Sequence, residues 1–234
     1  MRGRLGGYDW AGVRGSLDAA GWARLPGLLT PEECDAIRGL HGERRRFRKH
    51  VDLASHRFGD HGEYGYFANP LPRPVRSLRT ACYARLAPIA NEWAERLRKP
   101  ERYPRSLAPF LERCHEAGQA RPTPLLLRYE EGGYNCLHQD RYGAVAFPLQ
   151  LVVLLSRPAR DFTGGELLLV EQRPRMQSRG SALALAQGEG VLFPNTERPV
   201  ETVRGYARAQ MRHGVSPVLE GERFTLGIIF HDAA

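Results

Sequence analysis

The chain has almost no lysine. Of its 34 basic residues only Lys49 and Lys99 are lysines; the other 32 are arginines. Coding bias produces such a skew as readily as function does, so a net charge of +8 and a pI near 9.7 are weak pointers to a polyanionic partner. Cysteine is scarce too. Cys34, Cys82, Cys114 and Cys136 are widely spaced and form no C-x-x-C pair, which excludes a disulfide framework or a thiolate zinc site. No apolar run approaches the ~18 residues of a spanning helix. The opening stretch MRGRLGGYDW lacks the apolar core of a secretory signal, so reduced thiols and a cytoplasmic location are the expectation. Neither a nucleophile elbow nor a P-loop is present.

What the chain does have is 234 residues, 42% of them apolar, enough for one sizeable domain with a core. Its 25 Gly and 17 Pro are unpatterned and suit a turn-rich β protein. Charged residues at 26% argue against wholesale disorder. The positive excess is unevenly placed: residues 1–100 carry net +7 and residues 101–234 net +1. Much of it lies in Arg44, Arg45, Arg46, Arg48, Lys49 and Arg57. Clustered arginines grip phosphates, though they equally form an ordinary solvated face.

The front, residues 1–121, reads as helical and loop-rich. Thr30-Pro31-Glu32-Glu33 has an N-cap, a proline at the first helical position and a capping-box glutamate, and predicts a helix to about Leu40. Residues 42–72 show no sustained period and read as a structured loop region. From Pro74 to Lys99 the apolar spacing is helical, with a break expected near Pro88, and another helix is expected over Ser106–Ala117. After Pro124 the texture changes. Short apolar runs at 125–129, 147–155, 166–170, 182–186, 191–193, 209–213 and 224–230 are separated by turn residues. Many short strands at this spacing predict a sandwich or barrel, the jelly roll included. The expectation is a mainly β, α+β chain with a helical N-terminal extension.

Within the β-rich part, His138-Gln139-Asp140 places an imidazole and a carboxylate two residues apart, on one side of an extended segment. A second imidazole, His213, at the end of the run Met211-Arg212-His213, would complete a 2-His-1-carboxylate face with open positions opposite. Arg223 opens the next strand and Thr225 shares its face, a pairing suited to a carboxylate. His61-Gly62-Glu63 is a near-miss without strand patterning around it.

This ordered set resembles the Fe(II)/2-oxoglutarate-dependent dioxygenases. The resemblance implies a double-stranded β-helix (jelly roll) core over 122–234; the front, residues 1–121, is expected to pack on it, and its charge marks it as the candidate substrate-recognition element. It implies that His138, Asp140 and His213 hold Fe(II), and that Arg223 and Thr225 bind the far carboxylate of 2-oxoglutarate. Tyr129 stands where many members place a hydroxyl on that carboxylate; its other reading is an aromatic plugging the barrel. The implied reaction uses O2 to hydroxylate a substrate C–H bond, releasing succinate and CO2. The stretches RPTPLLLRYEEGGYNCLHQD, DFTGGELLLVEQRPRMQSR, MRHGVS and TLGIIFHDA are also similar to a bacterial group expected to demethylate damaged DNA bases oxidatively.

For a nucleic-acid substrate the chain offers the basic front with Arg48 and Arg57, the aromatics Tyr64, Tyr66 and Phe67, and a second basic loop containing Arg173, Arg175 and Arg179. Each has an ordinary alternative, packing for the tyrosines and solvation for the arginines. One departure counts against that substrate: the AlkB-type dealkylases have a second arginine six residues after the first, where this chain has Ile229. Tyr129, the Gly-rich turn and Gly164-Gly165-Glu166-Leu167 are equally similar to prolyl-hydroxylase-type enzymes, which usually carry lysine where this chain has Arg223. Hydroxylation of a protein, peptide, amino acid or other small molecule is therefore the alternative enzyme reading. A non-catalytic β-barrel binding module is a third.

Overall fold

The front of the chain forms helices where capping and spacing predict them. In this computed structural model, which describes residues 2–56 and 59–234, helices α1 (Arg2–Gly6), α2 (Trp10–Ala20), α3 (Pro31–Gly39), α4 (Arg73–Arg96) and α5 (Leu107–Glu116) all precede the β-rich part. At α3 the Thr30 hydroxyl accepts the Glu33 N–H at 3.3 Å and the Glu33 carboxylate accepts the Thr30 N–H at 2.9 Å, a complete capping box. The expected break at Pro88 is absent, and α4 runs through it. Pro88 removes one helical hydrogen bond, but Leu86, Ile89, Ala90 and Trp93 around it are buried against the sheet and hold the helix together.

Thirteen strands are described. They are β1 (Ala23–Leu25), β2 (Phe47–Asp52), β3 (Gly59–Phe67), β4 (Leu125–His138), β5 (Leu149–Leu154), β6 (Phe162–Gly164), β7 (Leu167–Gln172), β8 (Arg179–Leu183), β9 (Gly190–Pro194), β10 (Glu197–Thr202), β11 (Gly205–Val215), β12 (Val218–Gly221) and β13 (Arg223–Ile229). Every pairing between them is antiparallel. The seven apolar runs all become strands, with the run at 182–186 displaced to β8. Residues 42–72 correct the loop reading: β2 and β3 form a hairpin there, and β3 pairs with β4.

Strand β4 organises the site because it changes partners along its length. Residues Leu125–Tyr129 pair with β13, whereas Asn135 and His138 pair with β11. One layer is thus β1-β9-β5-β13-β4, extended by the β3-β2 hairpin; the other is β4-β11-β7-β8. This is the double-stranded β-helix. In β5 both faces are buried, which explains a run without clean alternation. Leu149, Leu151 and Val153 pack with Tyr83, Phe110 and Trp93 of the helices, while Leu154 packs with Val191, Phe193 and Met211 between the layers. Among the described residues no helix is long and apolar enough to cross a membrane, and all four cysteines are free.

Candidate active site

The ladder brings the two histidines together. His138 stands directly opposite His213 across β4 and β11, with ring centroids 4.1 Å apart. Asp140 lies two residues past the end of β4, buried, with Oδ1 3.8 Å from His138 Nε2 and Oδ2 3.3 Å from His213 Nε2. One ligand atom from each of the three falls within 4.8 Å of the others, the only such group among the described residues. Gln139 points away. Its amide donates to the carbonyls of Thr196 and Met211, both at 2.8 Å, and so ties the His138–Asp140 segment to the strand carrying His213.

The protonation states suit a cation. His138 Nδ1 lies 2.7 Å from the Cys136 carbonyl, an acceptor, so the proton belongs on Nδ1 and Nε2 keeps a lone pair toward the cluster. Burial, and then the neighbouring His213, lower the His138 pKa and favour the neutral ring. Burial pushes the Asp140 carboxyl up. The His213 and His138 imidazoles and a bond from Tyr142 outweigh it and hold Asp140 below the usual carboxylate range. Two imidazoles and one ionised carboxylate fit a divalent iron, zinc or copper ion better than a hard, all-oxygen ion.

The same cavity, about 280 Å³, also contains Arg223, Thr225 and Tyr129. Arg223 is 2% exposed, and its Nε and Nη1 are buried with no hydrogen-bond partner among the described residues. Burial pushes its pKa down to about 10, against the pull of Tyr129 and Glu166, so the guanidinium is charged at neutral pH. It lies 5.6 Å from the centre of the Tyr129 ring, and Arg223 and Tyr129 are ladder partners. The Tyr129 hydroxyl accepts a long bond from Asn135 at 3.4 Å. A buried cation with free donors, a threonine on the same strand and a phenol opposite make a receptor for a carboxylate.

The proposed substrate contacts separate. Tyr64 and Tyr66 line the cavity, packed edge to face at 5.4 Å. Arg48 lies over the Tyr66 ring at 4.6 Å. Arg173 and Arg175 do not line the cavity: Arg173 bonds Glu171 at 2.6 Å, and Arg175 is exposed in the β7–β8 turn. Arg57 lies outside the described residues. His61 and Glu63 are on β3, His61 beside Asp60 and Glu63 beside His41 and Arg128, away from the metal-like cluster. Sequence reasoning missed Tyr142, which donates to Asp140, and the buried Gln150, which lines the cavity and whose Nε2 has no partner among the described residues. The only sequence signal for Tyr142 is its place two residues after Asp140; Gln150 is marked by being the one polar residue in the run LQLVVL.

The chain is similar to several known proteins. Residues 62–233 match the Oxygenase-NA family, described as "Oxygenase, catalysing oxidative methylation of damaged DNA". An uncharacterized protein of Mycobacterium tuberculosis strain H37Rv is 51% identical over 168 residues, 72% of each chain. Among solved structures, an oxidoreductase of the 2OG-Fe(II) oxygenase family from Burkholderia pseudomallei superposes with a TM-score of 0.55 at 16% identity, covering 97% of this chain and 93% of that one. A prolyl hydroxylase from Trichoplax adhaerens gives 0.56 at 15%, covering 97% and 89%. At such identities the structures speak for the fold alone, whereas the family match spans well over half of the chain: this protein is a member of the Oxygenase-NA family of enzymes, built on the 2OG-Fe(II) oxygenase fold.

Proposed function

We propose that the protein is an Fe(II)- and 2-oxoglutarate-dependent oxygenase in which His138, Asp140 and His213 hold the metal and Arg223, Thr225 and Tyr129 hold the far carboxylate of 2-oxoglutarate. The observation that carries this reading is the Arg223 guanidinium, buried with free donors in the cavity that also holds the His-Asp-His group. An unpaired buried charge is costly, and a dicarboxylate is the ligand that relieves it. With O2, the bound iron and 2-oxoglutarate supply hydroxylation of a substrate C–H bond with release of succinate and CO2. The chain's own work is to orient and to exclude water: Leu53, Leu125 and Leu127 give the cavity an apolar wall.

For the substrate, the family description and the aromatic wall of Tyr64 and Tyr66 favour a damaged nucleic-acid base, held single-stranded or flipped. Hydroxylation of an N-methyl group gives a hemiaminal that collapses to formaldehyde and the free amine. The front, residues 1–121, supplies the recognition surface, with Arg44, Arg45 and Lys49 exposed beside β2 or on it.

Succinate formation tests the whole reading. Wild-type protein with Fe(II), 2-oxoglutarate and O2 is offered methylated single-stranded DNA, proline-containing peptides or free amino acids. Only the methylated DNA is expected to couple succinate to formaldehyde one for one, and His138→Ala or Arg223→Ala should lower turnover by roughly 100-fold or more. Coupled turnover of a peptide or amino acid would overturn the substrate. An Fe(II)/2-oxoglutarate visible band absent from wild type would overturn the oxygenase.

A further inference from the structure

The chain treats the two oxygens of Asp140 differently. Oδ1 accepts the Tyr142 hydroxyl at 2.7 Å and lies 3.8 Å from His138 Nε2, whereas Oδ2 takes no bond from Tyr142 and faces His213 Nε2 more closely, at 3.3 Å. An ionised carboxylate only accepts, so the proton of the first bond belongs to Tyr142. The Tyr142 oxygen is left to accept, and the Tyr66 hydroxyl donates to it at 3.0 Å. Both bonds therefore have a fixed direction, set from the carboxylate outward. The Arg48 guanidinium lies 4.6 Å from the centre of the Tyr66 ring, and Arg48 Nε donates to the Pro122 carbonyl at 2.8 Å. A cation over a phenol ring strengthens its hydroxyl as a donor. Contacts thus run without a gap from the basic β2–β3 hairpin to the carboxylate of the cluster.

We propose that Tyr142, itself held by Tyr66, is a positioning residue of the metal site that engages Oδ1 of Asp140 and leaves Oδ2 to face the ion. This inference rests on the metal reading of His138, Asp140 and His213. Rotation about the terminal bond of an aspartate is soft, so an unheld carboxylate turns easily and can chelate through both oxygens. A second oxygen on the ion would occupy a position that the co-substrates need. A hydrogen bond from a donor whose own direction is locked removes that freedom. Tyr66 and Arg48 act on the metal site through Tyr142, a role different from contact with a base.

The test is an anaerobic titration of the full chain with Fe(II), alone and with 2-oxoglutarate, read by metal affinity and by the visible band. Tyr142→Phe should weaken Fe(II) binding by about 10- to 100-fold and move the band, as loss of a ligand's hydrogen-bond partner does elsewhere. The metal-free melting midpoint should change by only a few degrees. Tyr66→Phe should weaken binding in the same direction by roughly three- to tenfold, and the double variant should bind no more weakly than Tyr142→Phe alone. Fe(II) binding by Tyr142→Phe within about twofold of wild type and an unmoved band, or additive effects of the two substitutions, would overturn the proposal. Asp140→Ala and His213→Ala separate the two levels. If they bind Fe(II) as wild type does, the metal reading falls and takes this role with it. If they lose the metal while Tyr142→Phe keeps it, only the positioning role falls.

Discussion

Arg223 owes its place to a neighbour that has no side chain. Gly165 adopts φ +63°, and a Cβ built there would stand 2.6 Å from Arg223 Cδ and 3.1 Å from its Nε. Gly165→Ala is therefore both strained and crowded against the guanidinium. It should raise the 2-oxoglutarate concentration for half-saturation of the visible band by roughly tenfold or more, with Fe(II) affinity in the absence of 2-oxoglutarate close to wild type, because a Cβ at Gly165 would meet Arg223 and Val218 first, neither of them in the His138, Asp140 and His213 group. Equal loss of both affinities would place Gly165 in general folding instead. At this scale the candidates were legible: His138, Asp140, His213, Arg223 and Thr225 could be singled out as candidate site residues because side-chain chemistry and strand alternation are local. That Arg223 Nε and Nη1 find no hydrogen-bond partner among the described residues, or that Tyr142 reaches Asp140, depends on folding and has no local signature.

At the scale of elements, β2 and β3 escaped the sequence reading for a physical reason. Gly59, Gly62 and Gly65 break the β pattern, yet each lies where a Cβ would meet a neighbour within 3.0 Å: the Tyr134 carbonyl, Leu53 and Phe47 respectively. The close approach to β4 and β2 selects glycine, and the pairing partner, not propensity, makes the strand. The junction of β7, β10 and α2 depends likewise on one side chain. Arg198, fully buried, bonds Glu171 through Nε at 2.6 Å and the Asp18 carbonyl through Nη1 at 2.7 Å. Arg198→Met leaves Glu171 to the partly exposed Arg173 at 2.6 Å and Arg179 at 3.9 Å, and should cost about 3 kcal/mol in urea unfolding. Arg173→Met, losing one partly exposed partner, should cost under about 1 kcal/mol. Similar losses for the two would mean that burial does not distinguish these ion pairs.

At the scale of the whole molecule, the C-terminal end of the sheet carries a pH dependence. His231 is fully buried and its Nδ1 accepts the Phe147 N–H at 3.2 Å. Burial, and then Arg79, push its pKa from 6.5 down to about 4, against Asp140 and Asp232, which favour the charged ring. Between those values the unfolded chain takes up a proton that the folded chain refuses. The stability from this group is whole above the unfolded value and is lost as pH falls through that window, on the order of 3 kcal/mol at most. Urea midpoints measured between about pH 7 and pH 4 should fall less for His231→Gln than for wild type; parallel falls would remove His231 as the cause. The charge of the whole chain divides in the same way between the local and the global. Composition shows that the excess lies in the first 100 residues, at net +7. Folding divides that excess, leaving Arg44 and Arg45 exposed, placing Arg48 on Tyr66 and burying Arg79 against Asp232 at 2.8 Å. The sequence by itself determined the strand-rich back, the capped helix α3 and the candidate residues for a metal and a carboxylate, because periodicity, capping and side-chain chemistry act over a few neighbouring residues. Only the tertiary structure decided which donors are left free, which aromatics line the cavity and how the basic front reaches Asp140, because those depend on contacts between residues distant in the chain.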